Sequence, residues 1–167
     1  MTDRINDLEF RKVIWLWLFG YFVALTANAI NLQLTSPLFL PPLALLIAFF
    51  WASHLINASH LISAFVLGLL YDGLYQSLLG MHALLFVVFM FLMLRIRLRF
   101  RSYRIWQQAL LITLYILLYQ IIYYWITPIQ LDEHSIWAYW SAPLLAGLLW
   151  IPIVMSFRWL TRINVTH

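Results

Sequence analysis

Arg95-Ile96-Arg97-Leu98-Arg99-Phe100-Arg101-Ser102-Tyr103-Arg104 carries five of the ten basic side chains in a chain that is 65% hydrophobic and only 10% charged. The other five stand at Arg4, Arg11 and Lys12 near the start and at Arg158 and Arg162 near the end. Between these three clusters the chain is mostly apolar, and its mean hydropathy is +0.88. A soluble domain is about half apolar and about a quarter charged. A chain of 167 residues cannot hide so large an apolar excess in one aqueous core. Lipid has to cover it. The composition therefore specifies an all-α polytopic membrane protein.

The basic clusters set the expected topology. Cytoplasmic loops hold the Lys/Arg excess of membrane proteins, so placing all three clusters inside demands an even number of crossings between each pair. Four near-minimal crossings fit between Lys12 and Arg95, and two fit between Arg104 and Arg158. Six transmembrane helices with both termini in the cytoplasm leave no Lys or Arg facing outward and put Asp132-Glu133 outside.

A helix needs about 20 apolar residues to cross the hydrocarbon core. The expected segments are Val13–Asn31, Leu38–Ser53, Leu61–Leu79, Met81–Leu94, Trp106–Ile126 and Ile136–Phe157. Pro41 and Pro42 fall in the first turn of the second, where a missing N–H is tolerated. His54–His60 reads as a short polar turn and Thr127–Ser135 as a loop. Only Gly80 separates the third and fourth segments, and the second and fourth are short. One of these is open to a re-entrant or broken reading, which is allowed only where protein covers the free backbone groups. The chain thus divides into a cytoplasmic tail (1–12), a membrane domain (13–157) with a cytoplasmic basic loop (95–105), and a second tail (158–167).

The mixed-charge start, with Asp3, Arg4, Asp7 and Glu9, and the long apolar run after Lys12 do not match a cleaved signal peptide. Trp15, Trp17, Trp51, Trp106, Trp125, Trp137 and Trp159 lie near expected helix ends, where amphipathic rings favour the headgroup region. Trp140 and Trp150 lie deeper and are expected to pack between helices.

The alternation of Arg95, Arg97, Arg99 and Arg101 with Ile96, Leu98 and Phe100 is a strand pattern. No second soluble strand is available to pair with it, and a helix lying in the interface suits it equally. With Arg104, these side chains form either an anchor on anionic lipid, worth about 1 kcal/mol each, or a docking surface for an acidic cytoplasmic partner; the two are compatible. Despite a pI near 9.6, nucleic acid is not an expected partner, because no domain lifts the patch beyond the membrane surface.

Signs of catalysis are sparse. The chain has no cysteine, which excludes disulfides, thiolate chemistry and Cys-ligated metals. GxSxG, P-loop, GxGxxG and HExxH motifs are absent. Asp72 is the one formal charge inside an apolar segment, past the bilayer middle toward the outer side. A carboxylate there is costly unless paired, hydrogen-bonded or hydrated. It is either an ion or proton site, or a helix-end group that fixes the turn from Gly73 to Gly80. The lack of a second intramembrane carboxylate or lysine favours the structural role.

His54 and His60 are six residues apart and do not share a helix face as an i,i+4 metal pair would, so no metal site is expected; His82, after Gly80, is similarly open. Tyr115, Tyr119 and Tyr123 form one helical stripe with Gln120 and Tyr124 beside it. Such a stripe, like Asn28 and Asn31 in the first helix, suits helix packing through interhelical hydrogen bonds better than a ligand cage.

Gly68-Leu69-Leu70-Tyr71-Asp72, followed by Leu79-Gly80-Met81-His82-Ala83-Leu84, resembles the rod shape-determining MreD family. Trp106-Gln107-Gln108-Ala109-Leu110 after the basic loop, the length and the six-span profile are similar to that family too. The family commonly carries a Ser-Gly pair shortly after the aspartate; here Tyr75 and Gln76 stand in those places, with Gly73 as a candidate source of flexibility. Gly68, Asp72 and Gly80 carry over as a structural signature.

The resemblance implies a non-catalytic scaffold of the cell-elongation complex in the bacterial inner membrane, without a cofactor. MreC would be its partner. Through MreC it would be linked to MreB and to the peptidoglycan synthase pair of a SEDS glycosyltransferase and a class B penicillin-binding protein. The resemblance also implies a fold similar to the substrate-binding subunits of ECF transporters. A small-molecule-binding subunit of a membrane transporter is the alternative function.

Overall fold

From Met81 to Ser102 the sequence contains neither proline nor glycine, and its residues are mostly good helix formers, arginine included. In the computed structural model, which describes residues 3–32, 40–54, 60–127 and 133–163, this run is one helix of 22 residues. It is the fourth of six: α1 (Asp3–Leu32), α2 (Leu43–His54), α3 (His60–Tyr75), α4 (Met81–Ser102), α5 (Ile105–Ile126) and α6 (Glu133–Ile163).

Several expected boundaries shift. The N-terminal tail is helical from Asp3 and continuous with the first apolar segment. Pro41 and Pro42 precede α2 instead of lying in its first turn, and the Pro42 carbonyl accepts from Leu45 and Leu46 at 3.0 and 3.2 Å. The third helix stops at Tyr75, short of Leu79. The basic stretch is not a loop: α4 runs through it to Ser102, leaving only Tyr103 and Arg104 between α4 and α5. Alternation by two looks like a strand, but a helix rotates about 100° per residue. Arg95 and Arg99 therefore share one face, and Arg97 and Arg101 another. Residues 33–39, 55–59 and 128–132, with the expected turn and loop they contain, lie outside the described residues; so do the side chains of His54, Trp17, Trp159 and the basic residues of both tails.

Contacts along the bundle show that successive helices alternate in direction. At one end, the Asn28 amide of α1 donates to the Pro41 carbonyl and the Tyr75 hydroxyl at 3.3 and 3.2 Å. Gln120 of α5 pairs there with Tyr139 of α6. Toward the other end, Phe50 and Trp51 of α2 pack on Phe157 of α6, with ring centroids 4.9 and 5.3 Å apart. Phe100 of α4 meets Trp150 of α6 at 5.6 Å. The N-terminal half of α1, the junction of α4 and α5, and the C-terminal end of α6 thus share one end of the bundle. Those are the three places where the chain carries its Lys and Arg.

Helix α2 is the hub. Ala44 through Ala52 are buried on every side, and α2 touches α1, α3, α4 and α6. Its 12 residues rise only about 18 Å, well short of a bilayer core about 30 Å thick, and protein covers its backbone as a short intramembrane segment requires. α4, α5 and Tyr139–Phe157 of α6 are long and apolar enough to cross a membrane. α6 accommodates Pro143 and Pro152 without ending. Large apolar side chains such as Phe19, Phe22, Phe65, Leu84, Leu110 and Leu148 face outward, a surface that water would penalise and lipid would not. Trp15, Trp106, Trp125 and Trp137 are exposed, as interface rings would be. Trp51 departs from that expectation: it is buried in the aromatic cluster on Phe157, because α2 lies inside the bundle. Trp150 packs between helices, whereas Trp140 is 38% exposed.

Candidate functional site

A close helix crossing sets the position of Asp72. A Cβ built on Gly68 would collide with the backbone of His82 and Ala83, so only glycine lets α3 and α4 approach this closely. One turn later, Asp72 points at the first turn of α4. Its carboxylate accepts from the Ser77 hydroxyl (2.8 Å), the Gly80 N–H (2.7 Å) and the His82 N–H (2.9 Å). His82 Nδ1 lies 2.8 Å away and donates when it holds the ring proton. The first N–H groups of a helix have no intrahelical acceptor and concentrate the positive pole of its dipole. A carboxylate from the neighbouring helix satisfies both needs, and Asp72 is 1% exposed in consequence.

The chain turns through two left-handed positions, Gln76 (φ 51°) and Gly80 (φ 96°). The Ser77 N–H bonds to the Asp72 carbonyl at 3.1 Å. That is the six-to-one bond of a Schellman motif, with Gln76 in the place usually given to glycine. Gly73 is not the flexible element: it lies inside α3, and a Cβ there would meet nothing within 4 Å. Gly68, Asp72 and Gly80 therefore converge on one turn. Sequence reasoning missed Ser77 and His82 as partners of Asp72. The available signal was that α4 begins at Met81 without an Asp, Ser, Thr or Asn before it, so its first N–H groups needed an acceptor from elsewhere.

Beside this turn is a cavity of about 270 Å³. Tyr71 and Tyr75 of α3, His82 of α4, Tyr119, Gln120 and Tyr123 of α5, Tyr139 of α6 and the Leu40–Pro42 segment line it. The His82 ring sits 4.8 Å from the Tyr123 ring and 5.8 Å from those of Tyr71 and Tyr75. Asp72 lies behind His82 and is not part of the wall. Of the tyrosine stripe, Tyr119 and Tyr123 face the cavity, while Tyr115 packs edge-on against Phe49 and Phe89. Among the described residues, no three His, Asp or Glu side chains gather as a metal would require. His60 is buried at the start of α3, away from this cluster.

The five arginines are at the opposite pole of α4 and do not join the site. Arg95, Arg99, Arg101 and Arg104 are exposed and Arg97 is half-buried; Arg95 lies 5.4 Å over the Phe91 ring. Inward of them, the buried Gln108 donates to the Phe100 and Tyr103 carbonyls, both at 3.1 Å, and accepts from Trp150 Nε1 at 3.3 Å.

The family model described as rod shape-determining protein MreD matches residues 8–160. The chain is also similar to the rod shape-determining protein MreD of Haemophilus influenzae, 25% identical over 158 residues that cover 93% of each chain. No solved structure matches it.

Proposed function

The chain belongs to the family of rod shape-determining MreD proteins, and from that premise we propose that it is a non-catalytic scaffold of the cell-elongation complex in the bacterial inner membrane. In this reading the chain crosses the membrane six times, the short α2 making its crossing inside the bundle where protein instead of lipid surrounds it, and both termini are cytoplasmic. MreC is the direct partner, and MreB and the SEDS glycosyltransferase–class B penicillin-binding protein pair are reached through it. The arginine end rests on anionic lipid or on an acidic partner. The observation that carries the non-catalytic part is the state of Asp72. The residue is 1% exposed and its carboxylate is held by the Ser77 hydroxyl, the Gly80 and His82 N–H groups and the His82 ring, so Asp72 serves as a clamp between α3 and α4.

One observation favours a second reading, a small-molecule-binding subunit of a membrane transporter: the tyrosine-lined cavity between α3, α4, α5 and α6. The fold resemblance to ECF-transporter substrate-binding subunits belongs to this reading. Crosslinking in native membranes followed by purification separates the two. Recovery of an MreC-like protein and wall synthases is the expected result. Recovery of a permease with paired ATPases, and of no elongation protein, would replace the scaffold reading with the transporter one.

A further inference from the structure

The exposed arginines of α4 do not share one depth. The Gln108 amide on the Phe100 carbonyl and the Tyr123 ring beside the His82 ring set α4 and α5 in antiparallel register. That register places Arg95 between the heights of Leu110 and Leu114, two exposed leucines of α5. It lies about 10 Å inside the end of α4 at Ser102. Long basic side chains near a helix end ordinarily reach out toward the interface. Arg95 reaches the other way. Helix side chains lean toward the N-terminus, and the Arg95 guanidinium carbon stands 5.4 Å over the Phe91 ring, one turn deeper. A cation facing outward at the level of lipid-facing leucines is costly without an anion beside it. Among the described residues no acidic side chain pairs with it; the Asp72–His82 pair is at the opposite pole of α4.

The anion therefore comes from outside the chain, and the rest of the face describes what carries it. Leu84, Val88, Phe91, Arg95 and Arg99 are all exposed and fall within about 80° of arc on α4. From Leu84 to Arg95 the helix rises about 16 Å, close to one leaflet of a hydrocarbon core about 30 Å thick. An apolar strip of that depth, ending in two guanidinium groups one turn apart, matches a molecule with an apolar tail and an anionic head. Arginine forks suit phosphate oxygens. A free phosphate would leave the strip unused.

We infer that this face of α4 binds one anionic phospholipid, its phosphate held between Arg95 and Arg99 and an acyl chain laid along Phe91, Val88 and Leu84. The site rests on the reading that the arginine end meets anionic lipid, and it is more specific: Arg97 and Arg101, on the other face, take no part in it.

The test is native mass spectrometry of the purified full chain released from nanodiscs of equal phosphatidylglycerol and phosphatidylethanolamine. One phosphatidylglycerol per chain is expected to be retained, at least fivefold over phosphatidylethanolamine. Arg95→Gln changes an exposed position outside the core and should cut that retention at least fivefold. Arg101→Gln removes the same charge from the other face and should cut it less than twofold. Equal losses in the two variants would show a diffuse basic surface and overturn the site. Equal retention of the two lipids would overturn it as well, and so would no retained lipid, which would leave Arg95 to a carboxylate on a partner helix. Lipid retention by the isolated chain is read apart from partners, so a failed lipid count leaves the crosslinking result standing, and the reverse.

Discussion

The two poles of α4 are satisfied by opposite chemistry, each supplied by a neighbouring helix. At the N-terminal pole, an anionic acceptor from α3, Asp72, gathers the N–H groups of Gly80 and His82. At the C-terminal pole, a neutral amide from α5, Gln108, donates to the Phe100 and Tyr103 carbonyls. Both partners are buried, and both match the sign of the helix end they meet. The difference is what covers each pole. The Asp72 pole borders an aromatic cavity, whereas the Gln108 pole is capped outside by exposed arginines. In a solvent that offers no hydrogen bonds, a helix end inside the bundle depends on its neighbours. The lesson is that one helix's free ends dictate polar residues in two others.

The comparison ranks the substitutions. Asp72→Ala leaves the Gly80 and His82 N–H groups without their acceptor in a buried turn and should cost about 3 kcal/mol. It should lower the thermal midpoint in detergent and the protein's abundance in membranes; normal values of both would sink the clamp. Gln108→Leu strands the Tyr103 carbonyl and the Trp150 N–H, both neutral, while the Phe100 carbonyl keeps the Tyr103 N–H, and should cost about 2 kcal/mol. A larger loss here than at Asp72 would reverse the ranking and break the comparison. Arg99→Glu alters only the exposed arginine cover of the second pole, which we propose rests on anionic lipid, at about 1 kcal/mol. Native mass spectrometry should show several-fold less retained phosphatidylglycerol with little change in melting, and unchanged lipid retention would remove the anchor. The smallest effect has the opposite sign. Gln76→Gly relieves a left-handed non-glycine residue and should stabilise the turn by about 0.5 kcal/mol after the entropy of glycine is subtracted. A lower melting point would show that the Gln76 side chain has a role of its own.

Much of the bundle was legible because lipid imposes long apolar runs, and the run from Trp106 to Ile126 differs from α5 by one residue at its start. The basic stretch was expected as a loop, with its alternation by two leaving strand and helix both open; the uninterrupted helix formers before Arg95 carry α4 through it to Ser102. Gly68, Asp72 and Gly80 came from the resemblance to the MreD family; by its chemistry only Asp72 stood out, as the one formal charge inside an apolar segment. Ser77, His82 and Gln108 were not legible, since a serine, histidine or glutamine in an apolar chain does not announce which helix end it will meet. The cavity was hidden for the same reason: the tyrosine stripe of α5 reads as packing until α3 and α6 are placed around it.

Both poles of α4 must lie at opposite membrane faces if this description holds, and the chain's lack of cysteine makes that directly measurable. Single replacements, Leu79→Cys beside the Asp72 turn and Ser102→Cys beside the arginines, can be labelled in spheroplasts with a membrane-impermeant maleimide. Leu79→Cys should label in intact spheroplasts and Ser102→Cys only after permeabilisation. Labelling of both from the same side would contradict the account.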